Sequence, residues 1–69
     1  MNTKIVSDNI RAERNRSKIT IDIIVKELDI SKPTYIEYEK DAVNVRVDTL
    51  IKLSKLFKCK VSDFFYIKN

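Results

Sequence analysis

Sixty-nine residues carrying 14 Lys and Arg against 10 Asp and Glu, a net charge of +4, one cysteine, one proline and neither histidine nor glycine leave room for one modest core. They exclude a disulfide framework, a histidine-based metal or catalytic centre and a glycine-rich phosphate loop. The positive balance leans toward an anionic partner, and part of the lysine content reads equally well as solvated surface. No apolar run approaches the length of a membrane span and no cleavable signal peptide is evident, which predicts a cytoplasmic protein.

Met1 to Val6 read as a tail or a short strand, and the expected core runs from about residue 7 to 65 of a single domain spanning 1–69. Ser7-Asp8 looks like a helix start, with acidic Asp8 in the first turn and Arg16 and Lys18 at the far end, a polarity that suits the helix dipole. This first helix reaches about Ser17 and has a thin apolar stripe of Ile10 with Ala12. Thr20 caps a second helix, with Ile19 and Ile24 spaced as a hydrophobic staple. Leu28-Asp29-Ile30 turns, and Ser31 caps a third helix through Glu39. Ile30 and Tyr35 repeat the staple there, and Pro33 sits in the first turn, where its missing N–H is not needed. Asp41 is the expected left-handed stop of this helix, and Lys40 to Arg46 read as a loop. Val47, Leu50, Ile51, Ser54 and Phe57 recur at helical spacing, giving a fourth helix over Val47 to Lys58, and a last short helix covers Val61 to Phe65. The fold class is all-α, with five helices and a helix-turn-helix over about residues 20–39.

The order and spacing of Ile10-Arg11-x-x-Arg14, Ile19-Thr20, Ile24-Val25-x-x-Leu28, Ile30-Ser31-x-x-Thr34-Tyr35-x-x-Tyr38-Glu39, Thr49-Leu50-Ile51-Lys52-Leu53 and Val61-x-x-Phe64-Phe65 resemble the lambda-repressor-like, Cro/C1-type (XRE) helix-turn-helix family from about Asn9 to Phe65. The resemblance implies a compact DNA-binding domain and a structural ion pair between Arg14 and Glu39. The chain departs from the family at Ile21, where a glutamine usually touches phosphate and braces the recognition helix. Further departures are Val25 in place of a close-packing alanine and Lys18, Asp29, Asp41 and Lys58 in place of frequent glycines. The two lysines must either adopt a costly left-handed geometry or let the chain turn differently.

On the third helix Tyr35 and Tyr38 share a face and match core positions. The opposite face carries the base-reading candidates Lys32, Pro33, Thr34, Ile36 and Glu37. Lysine donates to guanine O6 or N7, threonine meets a base edge or a thymine methyl, isoleucine meets a thymine methyl, and glutamate accepts from cytosine N4. Phosphate-contacting candidates flank that helix: Thr20 with the amide end it caps, Ser31, Lys40, Asn44 and Arg46, the last of which can alternatively reach a minor groove. Glu37, Glu39 and Asp41 offset the local lysines, so a monomer should bind weakly and salt-sensitively.

Weak half-site binding predicts a homodimer, with Leu53, Leu56, Phe64, Tyr66 and Ile67 as its interface and Val61 and Phe65 in the core. Ile5-Val6 and Tyr66-Ile67 read either as a small ribbon near that interface or as frayed ends. Cys59 reads as a buried inert thiol, the alternative being a redox-sensitive one activated by Lys58 and Lys60. With no nucleophile–base pair and no ligand cluster, the expectation is a non-enzyme without cofactor, metal or small-molecule ligand. The function implied is a sequence-specific regulator of double-stranded DNA, chiefly a repressor on a palindromic operator. The rival is a protein-interaction module of antitoxin or anti-repressor type on the same fold, supported by the apolar Ile21, Ile23 and Ile36 on or beside the DNA-facing surface.

Overall fold

Asn2, rather than Ser7, opens the first helix. Its side-chain oxygen accepts from the backbone N–H groups of Lys4 at 2.9 Å and Ile5 at 3.2 Å, satisfying donors that a helix start leaves unpaired. Helix α1 therefore spans Thr3–Ser17 in the computed structural model, which describes residues 2–67; Met1, Lys68 and Asn69 of the expected tails lie outside the described residues. Ile5 and Val6 are helical, so the terminal ribbon does not form. The helix buries Val6, Ser7, Asn9, Ile10 and Glu13, whereas Ala12 is exposed. The inward stripe thus contains polar residues, which an apolar count passes over. Each is satisfied where it is buried: Ser7 donates to the Thr3 carbonyl at 3.1 Å, Asn9 to the Phe64 carbonyl at 2.9 Å, and Glu13 accepts from Arg16 at 2.7 Å.

Helices α2 (Ile21–Leu28) and α3 (Lys32–Lys40) begin at Thr20 and Ser31. Thr20 accepts from the Ile23 N–H and Ser31 from the Thr34 N–H, each at 3.3 Å. Asp41 does not stop α3 in the left-handed region; its φ of −156° is extended backbone. The chain leaves α3 straight into a 3-10 turn, Ala42–Asn44, because Ala42 must be carried into the core, where it is buried. Helix α4 covers Val47–Phe57. The expected fifth helix is a single 3-10 turn, Val61–Phe64, held by the Asp63 carboxylate accepting from the Lys60 N–H at 2.9 Å. Among the described residues the architecture is thus four α-helices and two 3-10 turns.

Val6 and Ile10 of α1, Ile24 of α2, Tyr35 of α3 and Leu50, Leu53 and Phe57 of α4 meet with Ala42 and Phe64 in one buried cluster. Phe57 and Phe64 pack edge to face at 6.4 Å between centroids, the favoured geometry for two ring quadrupoles. Leu53 and Phe64 are fully enclosed in this cluster, which removes both from the expected dimer interface. Phe65, expected in the core, is 40% exposed, because the turn ends at Phe64 and directs the following residue outward. Val61 is partly buried against the core. Asn9 also donates to the Tyr66 carbonyl at 2.6 Å, so one buried amide ties the C-terminal segment to α1.

Candidate nucleic-acid interface

The reversal between α2 and α3 is made without glycine. Asp29 takes φ 55° and ψ 49°, its N–H donates to the Lys26 carbonyl, and the Ile30 N–H donates to the Val25 carbonyl. Those two bonds form a Schellman closure, with Val25 and Ile30 both packed against the core. Val25, where a smaller residue was expected for close packing, is accommodated at the edge of the cluster. Lys18 (φ 61°) and Lys58 (φ 55°) also sit in the left-handed region, so both lysines adopt the geometry glycine usually supplies.

At the other end of α3, Arg14 meets Glu39 through two bonds, Nε to Oε2 at 2.6 Å and Nη2 to Oε1 at 3.1 Å. Both side chains are largely shielded. The hydrogen bond that Arg14 donates to Glu39 raises the pKa of Arg14 above its ordinary value despite the opposing effect of burial. Beside this pair stands the Tyr35 hydroxyl, fully buried and without a hydrogen-bond partner. Burial first, and the neighbouring Glu39 carboxylate second, push its pKa far above the usual tyrosine range.

Three charged residues that hold or face α3 escaped the sequence reading. Lys4 donates to the Lys40 carbonyl at 3.1 Å and Arg11 to the Glu39 carbonyl at 3.3 Å, so two cations from α1 satisfy carbonyls at the negative end of the α3 dipole. Asp22 of α2 lies 3.5 Å from the Lys32 ammonium. Local sequence carries no signal for any of them, since the partners come from different helices.

With Tyr35 inward, and Tyr38 and Glu39 half-buried, α3 exposes Lys32, Pro33, Thr34, Ile36, Glu37 and Lys40. All five base-reading candidates therefore lie on the solvent side of one short helix. Thr34 shares a 2.7 Å hydrogen bond with the Ser31 hydroxyl, and Lys40 lies 3.9 Å from Glu37. Thr34, Glu37 and Tyr38 line a cleft of about 460 Å³ with Asp41, Val43 and Asn44 of the following turn. Of the phosphate-contacting candidates, Thr20 and Ser31 are exposed caps, Asn44 is exposed in that turn, and Arg46 sits at the start of α4 paired with Asp48 at 3.4 Å. Ile23 (50%) and Ile36 (37%) are exposed, whereas Ile21 is half-buried and packs on the core. Ile21, standing where the family usually has glutamine, is thus a packing residue rather than part of an exposed apolar patch.

A family model for helix-turn-helix proteins of the Cro/C1 (XRE) type matches residues 10–64. The chain belongs to the Cro/C1-type helix-turn-helix family. No curated protein and no solved structure matches it. For a Cro/C1-type chain the function, at the level of the family, is that of a DNA-binding transcription regulator, and the family is typically non-enzymatic. Among the described residues of this Cro/C1-type chain no helix is long and apolar enough to cross a membrane.

Away from this face, Cys59 is half-buried. Its sulfur and carboxylate oxygens of Glu13 and Asp63 lie within 4.8 Å of one another. The Arg16 guanidinium, which pairs with Glu13 and donates to the Phe57 carbonyl at 2.7 Å, caps the end of α4 nearby.

Proposed function

We propose that the chain is a single DNA-binding domain acting in the cytoplasm as a sequence-specific regulator, a repressor that inserts α3 into the major groove of double-stranded DNA. The observation carrying this is the asymmetry of α3: its inward face is locked by Tyr35 and the Arg14–Glu39 pair, while its outward face carries Lys32, Pro33, Thr34, Ile36 and Glu37. A rigidly held helix with an open polar face is what base-edge readout requires. Thr20, Ser31, Lys40, Asn44 and Arg46 are proposed to hold the phosphates on either side.

The DNA-facing side is not strongly basic. Lys32, Lys40 and Arg46 each stand within 4.0 Å of an acidic group, at 3.5, 3.9 and 3.4 Å. Weak half-site affinity follows, and a homodimer on a palindromic operator is the proposed remedy. Exposed Tyr66 and Ile67, with half-buried Leu56, are the proposed contact residues.

The test is fluorescence anisotropy with duplexes drawn from a randomised pool, at two salt concentrations. Selective binding that Lys32→Ala with Thr34→Ala removes, in a protein that stays folded, is the expected result. Half-sites about one helical turn apart and a dimer mass at equilibrium sedimentation would accompany it. Uniform, purely salt-controlled affinity for every duplex would defeat the proposal. It would favour the protein-interaction reading, for which the exposed Ile23 and Ile36 speak.

A further inference from the structure

The ammonium of Lys32, the first residue of α3, lies 3.5 Å from a carboxylate oxygen of Asp22, in the first turn of α2. The pair links the two halves of the helix-turn-helix across its outer face. Both side chains are well exposed, at 56% and 82%, so in the free protein the contact does little for stability. Its effect belongs to the bound state. A lysine carries its charge on a flexible four-carbon stem with three donors and no preferred direction. A carboxylate on the neighbouring helix engages one donor and narrows the angles over which the others can be offered. Among the described residues Asp22 is the one acidic group paired with Lys32, while the Ser31 and Thr34 hydroxyls are closed on each other at 2.7 Å and the Ile21 side chain is apolar.

We infer that Asp22 is the positioning residue for Lys32 and sets the specificity of its base contact, an inference that rests on the DNA-reading role proposed for α3. When DNA covers this face, water leaves and the ion pair strengthens as the effective dielectric falls. The ammonium is then presented to a base edge in one direction, where an unrestrained lysine would accept several acceptors. Asp22 also acts against indiscriminate binding. It stands at the amide end of α2, the side on which phosphates are expected, and its charge repels them whatever the sequence. The two effects work together, because specificity is the ratio of selective to non-selective affinity.

The experiment uses the full chain, the duplex that the wild type enriches most from a randomised pool, all single base-pair substitutions of it, and a scrambled duplex. Lys32→Ala first identifies the base pair that Lys32 reads, as the one whose discrimination is lost. At that base pair Asp22→Asn is expected to lose roughly tenfold of the wild-type discrimination while binding the scrambled duplex more tightly. Asp22→Glu keeps the discrimination, and in the Lys32→Ala background Asp22→Asn tightens binding to every duplex alike and leaves the remaining discrimination unchanged. Asp22→Ser serves as the second variant if Asp22→Asn does not fold by circular dichroism. Retained discrimination in a folded Asp22→Asn protein, an equal further loss in the Lys32→Ala background, or no base pair sensitive to Lys32→Ala would each overturn the inference while leaving DNA reading intact. A wild type that binds every duplex alike would overturn both.

Discussion

The Tyr35 hydroxyl is the one buried side-chain polar atom without a partner among the described residues, and it stands beside a shielded ion pair. A buried hydroxyl that reaches Glu39 and Arg14 only outside good hydrogen-bond geometry offsets little of its lost hydration, so Tyr35→Phe should leave stability at neutral pH unchanged or raise it by up to about 1 kcal/mol. Its pH signature is sharper. The folded-state pKa is raised, so the unfolded chain releases the proton first, and stability should be intact below about pH 10 and fall above it. In Tyr35→Phe the part of that alkaline loss due to Tyr35 should vanish, measured by urea unfolding at several alkaline pH values. The neighbouring pair behaves differently. Glu39→Ala strands the Arg14 guanidinium and should cost about 3 kcal/mol, whereas Arg14→Met with Glu39→Leu together should restore most of it. Equal losses in the single and double variants would contradict that account. The identities of Arg14 and Glu39 were readable through the family resemblance; Tyr35 was readable as a core residue, but its unpaired hydroxyl was not, because it depends on where the ion pair falls in space.

Among the elements, α1 does more than its sequence advertises. It starts at Asn2, buries polar residues, and sends Lys4 and Arg11 to the carbonyl end of α3 and Arg16 to that of α4. These partners are far apart in sequence, so neither helical periodicity nor capping motifs reveal them. The caps of α2 and α3 were legible because each involves residues three apart, which local geometry controls. Three helix ends lie in the left-handed region without glycine, a conformation that costs an L-residue about 1–2 kcal/mol. Lys58→Gly and Lys18→Gly should therefore each stabilise the protein by about 0.5–1 kcal/mol after the extra freedom of glycine in the unfolded chain is counted. Thermal unfolding checks this, and a lower Tm in Lys58→Gly would mean that the side chain contributes a contact outweighing the backbone cost.

For the whole molecule, one small cluster must hold four helices together. Phe57 lies at its centre, fully buried and stacked edge-on against Phe64. Phe57→Ala should cost about 3–5 kcal/mol, against the total of about 5 kcal/mol expected near the lower limit for a domain of this size. The variant should keep at most about 2 kcal/mol of stability, so its urea midpoint by circular dichroism should fall by more than half, while Phe57→Leu keeps most of it. A cooperative, native-like melt in Phe57→Ala would show that the cluster is not the common support of the helices.

By itself the sequence determined the helix-turn-helix, the start of α2 and α3, the inward face of α3 and the bulk of α4, because each depends on spacing within a few residues and on side chains capping their own turn. Only the tertiary structure decided that Leu53 and Phe64 are core, that Phe65 is not, and that the chain leaves α3 in extended backbone. It also decided which cations close which helix ends and that Asp22 faces Lys32. These depend on how separate helices meet, and a shared neighbour in space leaves no period or motif along the chain.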